Sequence, residues 1–311
     1  MKLGLIRSFS MALALSAVGL SSTAQAEGPK PLAVEKTVQP ARGWSDKSPD
    51  VGEAVRSGQP LVVEVFVRLC SEKRGGPCGK HEGAGEADNL DDNIYWGAVW
   101  GARRYLSRGY LGWKPVETGP GESWELERAV FSRNLSGARW GVSGDIEQIV
   151  VLHAIHGDSG EEALSRFRDR ASGGGSVHLK DGRDVSVHVV GFMGRNPLLK
   201  NGKVPKEVDL PDSSSSSGAI PSFSIAAHSR ETLGPWLLGT GSRALLLARG
   251  PVASEAYILQ SVLDGVGHND NTWNVEQRTI KSYAKFQKIS EKVSALYFRR
   301  YLPKSLLPPT G

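Results

Sequence analysis

Four places in the 311-residue chain carry side chains that could do chemistry. Cys70 and Cys78 frame "CSEKRGGPC", and His153 and His156 stand in "LHAIHG". Arg195 and Asn196 end the apolar run "VSVHVVGFMGRNP", and His228 and Ser229 close "SFSIAAHS". Two thiols can form a disulfide, attack a carbonyl or help ligate a metal. Imidazoles move protons or bind metal. A Ser beside a His invites comparison with a Ser-His-acid set, for which Asp212 or Glu231 would be the acid. A guanidinium grips carboxylates in a two-pronged fork.

Spacing narrows these options. His-x-x-His on a helix would put both rings on one face for a metal, but "IVVLHAI" is strand-like. Residues three apart on a strand point to opposite faces, so ordinary satisfied histidines are expected and no metal. Seven residues separate the two cysteines, and in an oxidising compartment they are expected to close a short Gly/Pro loop as a disulfide. A nucleophilic thiol would need a neighbour that lowers its pKa, and in sequence only Lys73 and Arg74 are near. A zinc site needs two further histidines, and only His81 is close. His228 stands where a cleft would receive a base, yet adjacent residues on an extended chain point apart and no Gly-x-Ser-x-Gly elbow is present. Gly173, Gly174 and Gly175 lack the following Lys-Ser/Thr of a phosphate loop, and "NLS" at Asn134 fits a glycosylation sequon that means little in bacterial export.

These residues need elements to position them. "LVVEVFVRL" (61–69) is β-branched and apolar, the signature of a strand buried on both faces. Acids and Asn before an aromatic stripe, with Arg and Gly after it, predict a helix over Asp92–Ser107, with Tyr95, Val99 and Ala102 on one face. "SWELERAVFSRN" and "ARWGV" read as paired strands around a Ser136-Gly137 turn, and "EQIVVLHAIHG" as a second buried strand followed by the helix "DSGEEALSRFRDRAS". "VHLKDGRDVSVHVVGFMG" reads as a hairpin turning at Asp181-Gly182. Then come the strand "SFSIAAHS", the short helix "RETLGPWLLG", the strand "RALLLARG", the helix "ASEAYILQSVLDGVG" and one long terminal helix from "NVEQRT" to "RRYL". Strands alternating with helices predict an α/β three-layer sandwich with a mostly parallel central sheet. In such sheets ligands sit outside the carboxyl ends of the strands, which points to "HAIHG", "MGRNP" and "AAHSR".

The chain ends read differently. Lys2 and Arg7, the apolar "MALALSAVGL" and "AQA" at 24–26 form a signal peptide cleaved after Ala26, so the protein is expected in the periplasm or outside the cell. Residues 27–58 read as a flexible leader, 59–303 as one α/β domain with a Ser-rich loop at 212–218, and 304–311 as a tail. No segment is long and apolar enough for a membrane span. Removing Lys2 and Arg7 leaves 38 − 2 = 36 basic residues against 33 acidic, an excess of +3. That is too small and too scattered to imply nucleic acid, and no motif implies a cofactor.

The order of motifs is similar to that of a group of bacterial proteins with the layout of the caspase-haemoglobinase fold of cysteine peptidases. The resemblance spans about Leu61–Leu296 and rests on "DNIYWGAVWGARRYL", "GRNPLLKN", "AAHSRETLGPWL", "RALLLARGPVASEAYILQSVLDG" and "SYAKFQKIS". The group shows Gly-His-Asn-Gly and Ala-Cys-x-Ser, so the match implies that Arg195 replaces the histidine and Ala227 the cysteine. Amide attack by that route needs a thiolate and an imidazole to manage the leaving group's proton. Alanine has no nucleophilic atom, and arginine stays protonated. The resemblance therefore implies a fold kept without its peptidase chemistry, with Arg195, Asn196, His228, Ser229, His153 and His156 as binding candidates. Its partner would be a protein, or a peptide or other carboxylate held by Arg195. Two readings stand beside it: a hydrolase using His228 with Ser229 or His153, and a purely structural or partner-binding periplasmic protein.

Overall fold

The computed structural model describes residues 43–74, 77–207 and 218–299. The expected signal peptide, the tail and nearly all of the serine-rich loop lie outside the described residues, as does the leader up to residue 42.

Nine strands form among the described residues: β1 (Leu61–Arg68), β2 (Lys114–Gly119), β3 (Glu127–Ser136), β4 (Asp145–Ile155), β5 (Ser176–His178), β6 (Asp184–Ser186), β7 (Val189–Gly194), β8 (Ser222–Ile225) and β9 (Ala244–Leu247). Seven of them make one sheet in the order β2-β3-β4-β1-β7-β8-β9, and β5-β6 form a separate ribbon. Neighbours from β4 through β9 run parallel, whereas β3 is antiparallel to β4 and β2 to β3. The sheet is thus mostly parallel, as the buried apolar runs require: all eight residues of β1 are buried.

Eight described α-helices accompany it: α1 (Pro49–Arg56), α2 (Ala102–Leu106), α3 (Gly160–Gly173), α4 (Ser229–Thr232), α5 (Gly234–Thr240), α6 (Ala256–Gly267), α7 (Thr272–Gln287) and α8 (Glu291–Phe298). Side-chain alternation along β1 builds the layers. Val63, Val65 and Val67 face a large core shared with α6 and α7, while Phe66 faces a second core with Phe167 of α3 and Trp236 of α5. A third cluster forms where Val177 and Val185 of the ribbon cover Val62, Val130 and Val151. None of the described helices is long and apolar enough to cross a membrane.

Several expectations are corrected. The helix over 92–107 shrinks to α2, and residues before it run through successive turns. The Asn93 side chain is the cause: its Oδ1 accepts from the Cys70 and Tyr95 amides, and its Nδ2 donates to the carbonyls of Cys70 and Glu86. A side chain spent on backbone groups in this way diverts the chain from helix. Tyr95 and Ala102 are buried as expected, but Val99 is half exposed. "ARWGV" is no strand: residues 137–140 form a 3₁₀ turn that seats Trp140 with its Nε1 on the Gly267 carbonyl. β3 pairs instead with β4. The hairpin's second arm splits, because β6 stays in the ribbon while β7 enters the main sheet. The terminal helix breaks at Lys288, which is left-handed (φ 55°), and restarts with the Ser290 side chain accepting from the Val293 amide. The leader also ends earlier than expected, since Trp44 is buried against Trp140 with ring centroids 5.7 Å apart, and Pro49 opens α1.

Candidate functional site

In chain order the five parallel strands are β1, β4, β7, β8 and β9, so across the sheet they read second, first, third, fourth, fifth. Strand order reverses between β1 and β7. Loops leaving neighbouring strands diverge at such a point and open a crevice beyond their carboxyl ends. Arg68 ends β1, and Gly194 ends β7 immediately before Arg195.

Buried side chains fix this edge. Arg68 donates from Nε to the Gly157 carbonyl (2.8 Å) and from Nη1 to the Arg195 carbonyl (3.2 Å), joining the exits of β4, β1 and β7. Gly194 has φ 126°, and a Cβ there would stand 2.4 Å from the Arg68 carbonyl oxygen, so only glycine lets the two exits approach. Ser254 donates to the Gly194 carbonyl at 3.1 Å. Asn196 donates from Nδ2 to the Ala227 carbonyl and to Thr232 Oγ1, both at 2.8 Å, and its Oδ1 accepts from the Leu198 amide. The frame surrounds an open cleft of about 640 Å³ lined by Lys73, Tyr95, Arg195, Asn196, Ala227 and Val252, among others. Arg195 and Ala227 therefore close neighbouring strands and share one cleft. Among the described residues two cationic side chains line it and no carboxylate does.

The Arg195 guanidinium is turned toward the cysteine loop. Cys70 and Cys78 form a disulfide, as expected, so the chain's two cysteines leave no free thiol. Arg195 Nε lies 3.2 Å from Cys70 Sγ, and Nη2 donates to the Pro77 carbonyl at 2.8 Å. Arg195 also hydrogen-bonds Tyr95. Burial holds the Tyr95 phenol above its ordinary range, with Arg195 partly offsetting that rise.

The other candidates lie apart. His228, half-buried and left-handed (φ 54°), opens α4 with Nδ1 4.0 Å from Glu231 Oε2. Ser229 next to it is fully buried, its Oγ accepting from the Ala248 amide (2.9 Å) and donating to the Ser224 carbonyl (3.4 Å). That hydroxyl ties β8 to β9 and does not meet the His228 ring. His153 pairs across the sheet with Phe66, Phe66 with Phe192 and Phe192 with Ser224. Three strand spacings put His153 roughly 14 Å from Ser224, out of reach of His228 and Ser229. His156, past the end of β4, accepts the Asp158 amide on Nδ1 and borders a separate acidic cleft of about 510 Å³. Among the described residues no group of three or more His, Cys, Asp or Glu side chains could hold a metal ion.

A polar cluster absent from the sequence reading lies within the sheet. His153 Nδ1 is 2.5 Å from Glu125 Oε2, and its Nε2 is 3.1 Å from Glu64 Oε1. Arg170 of α3 donates to both Glu64 oxygens. Both imidazole nitrogens face carboxylates, so the ring satisfies both only as the doubly protonated imidazolium. Burial opposes that charge, but the hydrogen bonds His153 donates to Glu125 and Glu64 outweigh it and hold its pKa above the ordinary value. Burial likewise pushes Glu64 up, yet His153 and Arg170 bring it below the usual carboxylate range. Two cations against two anions leave the quartet neutral, and with both ring nitrogens engaged it has a bracing role. One sequence signal marked it: Glu64 is an acid inside an otherwise apolar buried strand.

No family model, curated protein or solved structure matches the chain.

Proposed function

We propose that the chain is an exported protein on a caspase-haemoglobinase-like α/β scaffold that has lost amide-cleaving chemistry. Its role is to bind a peptide or protein ligand through a carboxylate at the cleft beyond β7 and β8. One observation carries this reading: Arg195 and Ala227 follow neighbouring strands and share a cleft whose charged lining among the described residues is Lys73 and Arg195, both cationic. A methyl group and a guanidinium held on Cys70 and Pro77 supply neither nucleophile nor base. They do supply positive charge next to an apolar wall, which suits a chain-terminal carboxylate with a small side chain.

Calorimetric titration of the mature protein with a peptide library, each peptide with a free and an amidated C-terminus, tests it. Binding should favour the free carboxylates by roughly tenfold or more and weaken in Lys73→Gln, since a charge-assisted contact contributes about 1.5–3 kcal/mol. Equal binding of amidated peptides, or hydrolysis of any peptide or ester, would overturn the reading. N-terminal sequencing of the protein secreted by a bacterial host should begin at Glu27.

A further inference from the structure

A second open cleft, of about 600 Å³, adjoins the Arg195 cleft. Ile94 and Glu255 line it, while their chain neighbours Tyr95 and Ser254 line the Arg195 cleft, so the two share two walls. One wall, the turn run before α2, is firmly held. The Trp96 and Ala98 amides both donate to the Asn93 carbonyl, and a Cβ on Gly97 would stand 2.2 Å from the Leu90 carbonyl oxygen, so only glycine lets the turn close. Trp100 packs edge-on against Tyr257 and Phe286, with ring centroids 5.9 and 5.0 Å away, and its carbonyl accepts the Ala256 amide at the start of α6. Val99 between them lines the cleft and is 52 % exposed, so this wall presents apolar surface that the core does not use. The other wall is acidic. Glu255, which caps α6, is held by Gln287 Nε2 at 3.1 Å and by the Tyr257 hydroxyl. Among the described residues the charged lining is Asp91, Asp92 and Glu255 against Arg104. Arg103 pairs with Asp91 at 3.2 Å, whereas neither Asp92 nor Glu255 joins an ion pair among the described residues. The adjoining clefts therefore differ in sign, cationic around Arg195 and anionic here.

Given a carboxylate in the Arg195 cleft, on which this inference rests, we propose that the second cleft takes a lysine or arginine side chain of the same peptide. The ligand is then a peptide with a basic residue upstream of a free C-terminus. Long basic side chains have an apolar stem and a charged head, and the cleft offers a matching surface to each. The methylenes cover Val99, Ile94 and Trp100, and the head reaches Asp92 or Glu255. An acidic side chain at that place meets like charge. Opposite signs in adjoining clefts also fix direction, since a reversed peptide would bring its amino terminus to Lys73 and Arg195. Because the wall is already braced by Asn93 and α6, little ordering is needed when the side chain enters.

Calorimetric titration of the mature protein with four versions of one peptide tests this. Lysine or acetyl-lysine stands at each upstream position in turn, and each peptide has a free or an amidated C-terminus. Acetylation retains the stem and removes the charge. At one position lysine should bind roughly threefold or more tighter than acetyl-lysine, as expected for a partly exposed charge pair, and the preference should shrink at high salt. It should also shrink in Asp92→Asn and in Glu255→Gln, compared where thermal melting matches the parent. Should Glu255→Gln fail to fold, Asp92→Asn, at an exposed site, still decides. Equal binding of the lysine and acetyl-lysine forms at every position, with free carboxylates still preferred, overturns this inference and leaves the Arg195 reading standing. A lysine preference with no preference for the free carboxylate overturns the Arg195 reading, and with it the single ligand spanning both clefts. If no peptide binds and the protein sediments as a dimer that Val99→Lys disperses, the occupant is a second copy and the proposal falls.

Discussion

The Asn196 amide donates to the Ala227 carbonyl oxygen at 2.8 Å, joining the exits of two neighbouring strands at the floor of the cleft. The same Nδ2 reaches Thr232 Oγ1 in α4, so one side chain sets how β7, β8 and the following helix meet. Truncation leaves two acceptors unsatisfied in a buried place. Asn196→Ala should destabilise the protein by roughly 1–3 kcal/mol in urea unfolding and weaken ligand binding at the cleft. Asn196→Asp should be no better, because a carboxylate presents oxygen to the Ala227 carbonyl.

Ser229 has a structural hydroxyl, bonded to Ser224 and Ala248. Ser229→Ala should cost about 1–2 kcal/mol by chemical denaturation, since the Ala248 amide loses its buried acceptor. Ser229→Cys, which retains a weak donor and acceptor, should fall between. A hydrolase reading would instead require activity in the parent protein that disappears in Ser229→Ala without loss of fold.

The exit of β7 depends on Gly194. An added methyl would meet the Arg68 carbonyl at 2.4 Å, in backbone that residues with a side chain rarely adopt. Gly194→Ala should lower the melting temperature by several degrees or prevent soluble expression, whereas Gly182→Ala, at a hairpin with open space around it, should suffer only its backbone strain. A larger loss at Gly182 than at Gly194 would contradict this account of the sheet edge.

Stability should peak between an acid and an alkaline decline. His153 has a folded pKa above its unfolded value near 6.5, so its contribution is complete below about pH 6.5 and is lost as pH rises through the higher folded value. His188 behaves oppositely. Burial, with its Nδ1 accepting the Val62 amide, pushes its pKa down to about 4. Its contribution is present above pH 6.5 and is lost as pH falls toward 4. Glu64, also lowered, adds to the acid decline. Urea unfolding across pH should show the alkaline limb flatten in His153→Gln, at a cost of roughly 3–5 kcal/mol near neutrality for a broken buried ion cluster. His188→Gln should remove part of the acid limb. An unchanged alkaline limb in His153→Gln would refute the role given to the quartet.

The parallel strands and α3 were readable in the sequence because burial on both faces leaves unbroken β-branched runs, and because acids precede and Arg ends the helix. The segment from Asp91 to Trp100 was not, since the Asn93 side chain that turns it bonds partners as far as Cys70 in another element. The strand ends beside Arg195 and Ala227 were readable because the apolar runs stop there, β7 at Gly194 and β8 at Ile225. The direction of the Arg195 guanidinium was not, because its sulfur partner lies 125 residues away in sequence. The His153 quartet drew on β1, β4, α3 and the loop before β3. Only Glu64, a charge inside a buried strand, announced it.

The order of the sheet also decides how a second chain could join it. Strand addition needs a free, regular edge. β2 at one side carries Pro115, which has no N–H, and its pairing with β3 shifts register between Pro115 and Glu117. β9 at the other is four residues long, and the end of α8 lies across its exit, where the Arg249 amide donates to the Tyr297 carbonyl and Arg230 to those of Leu247 and Phe298. Both margins are guarded against lengthening by a foreign strand. A partner would therefore engage the protein end-on, at the mouths of its strands, and leave the sheet at its native width.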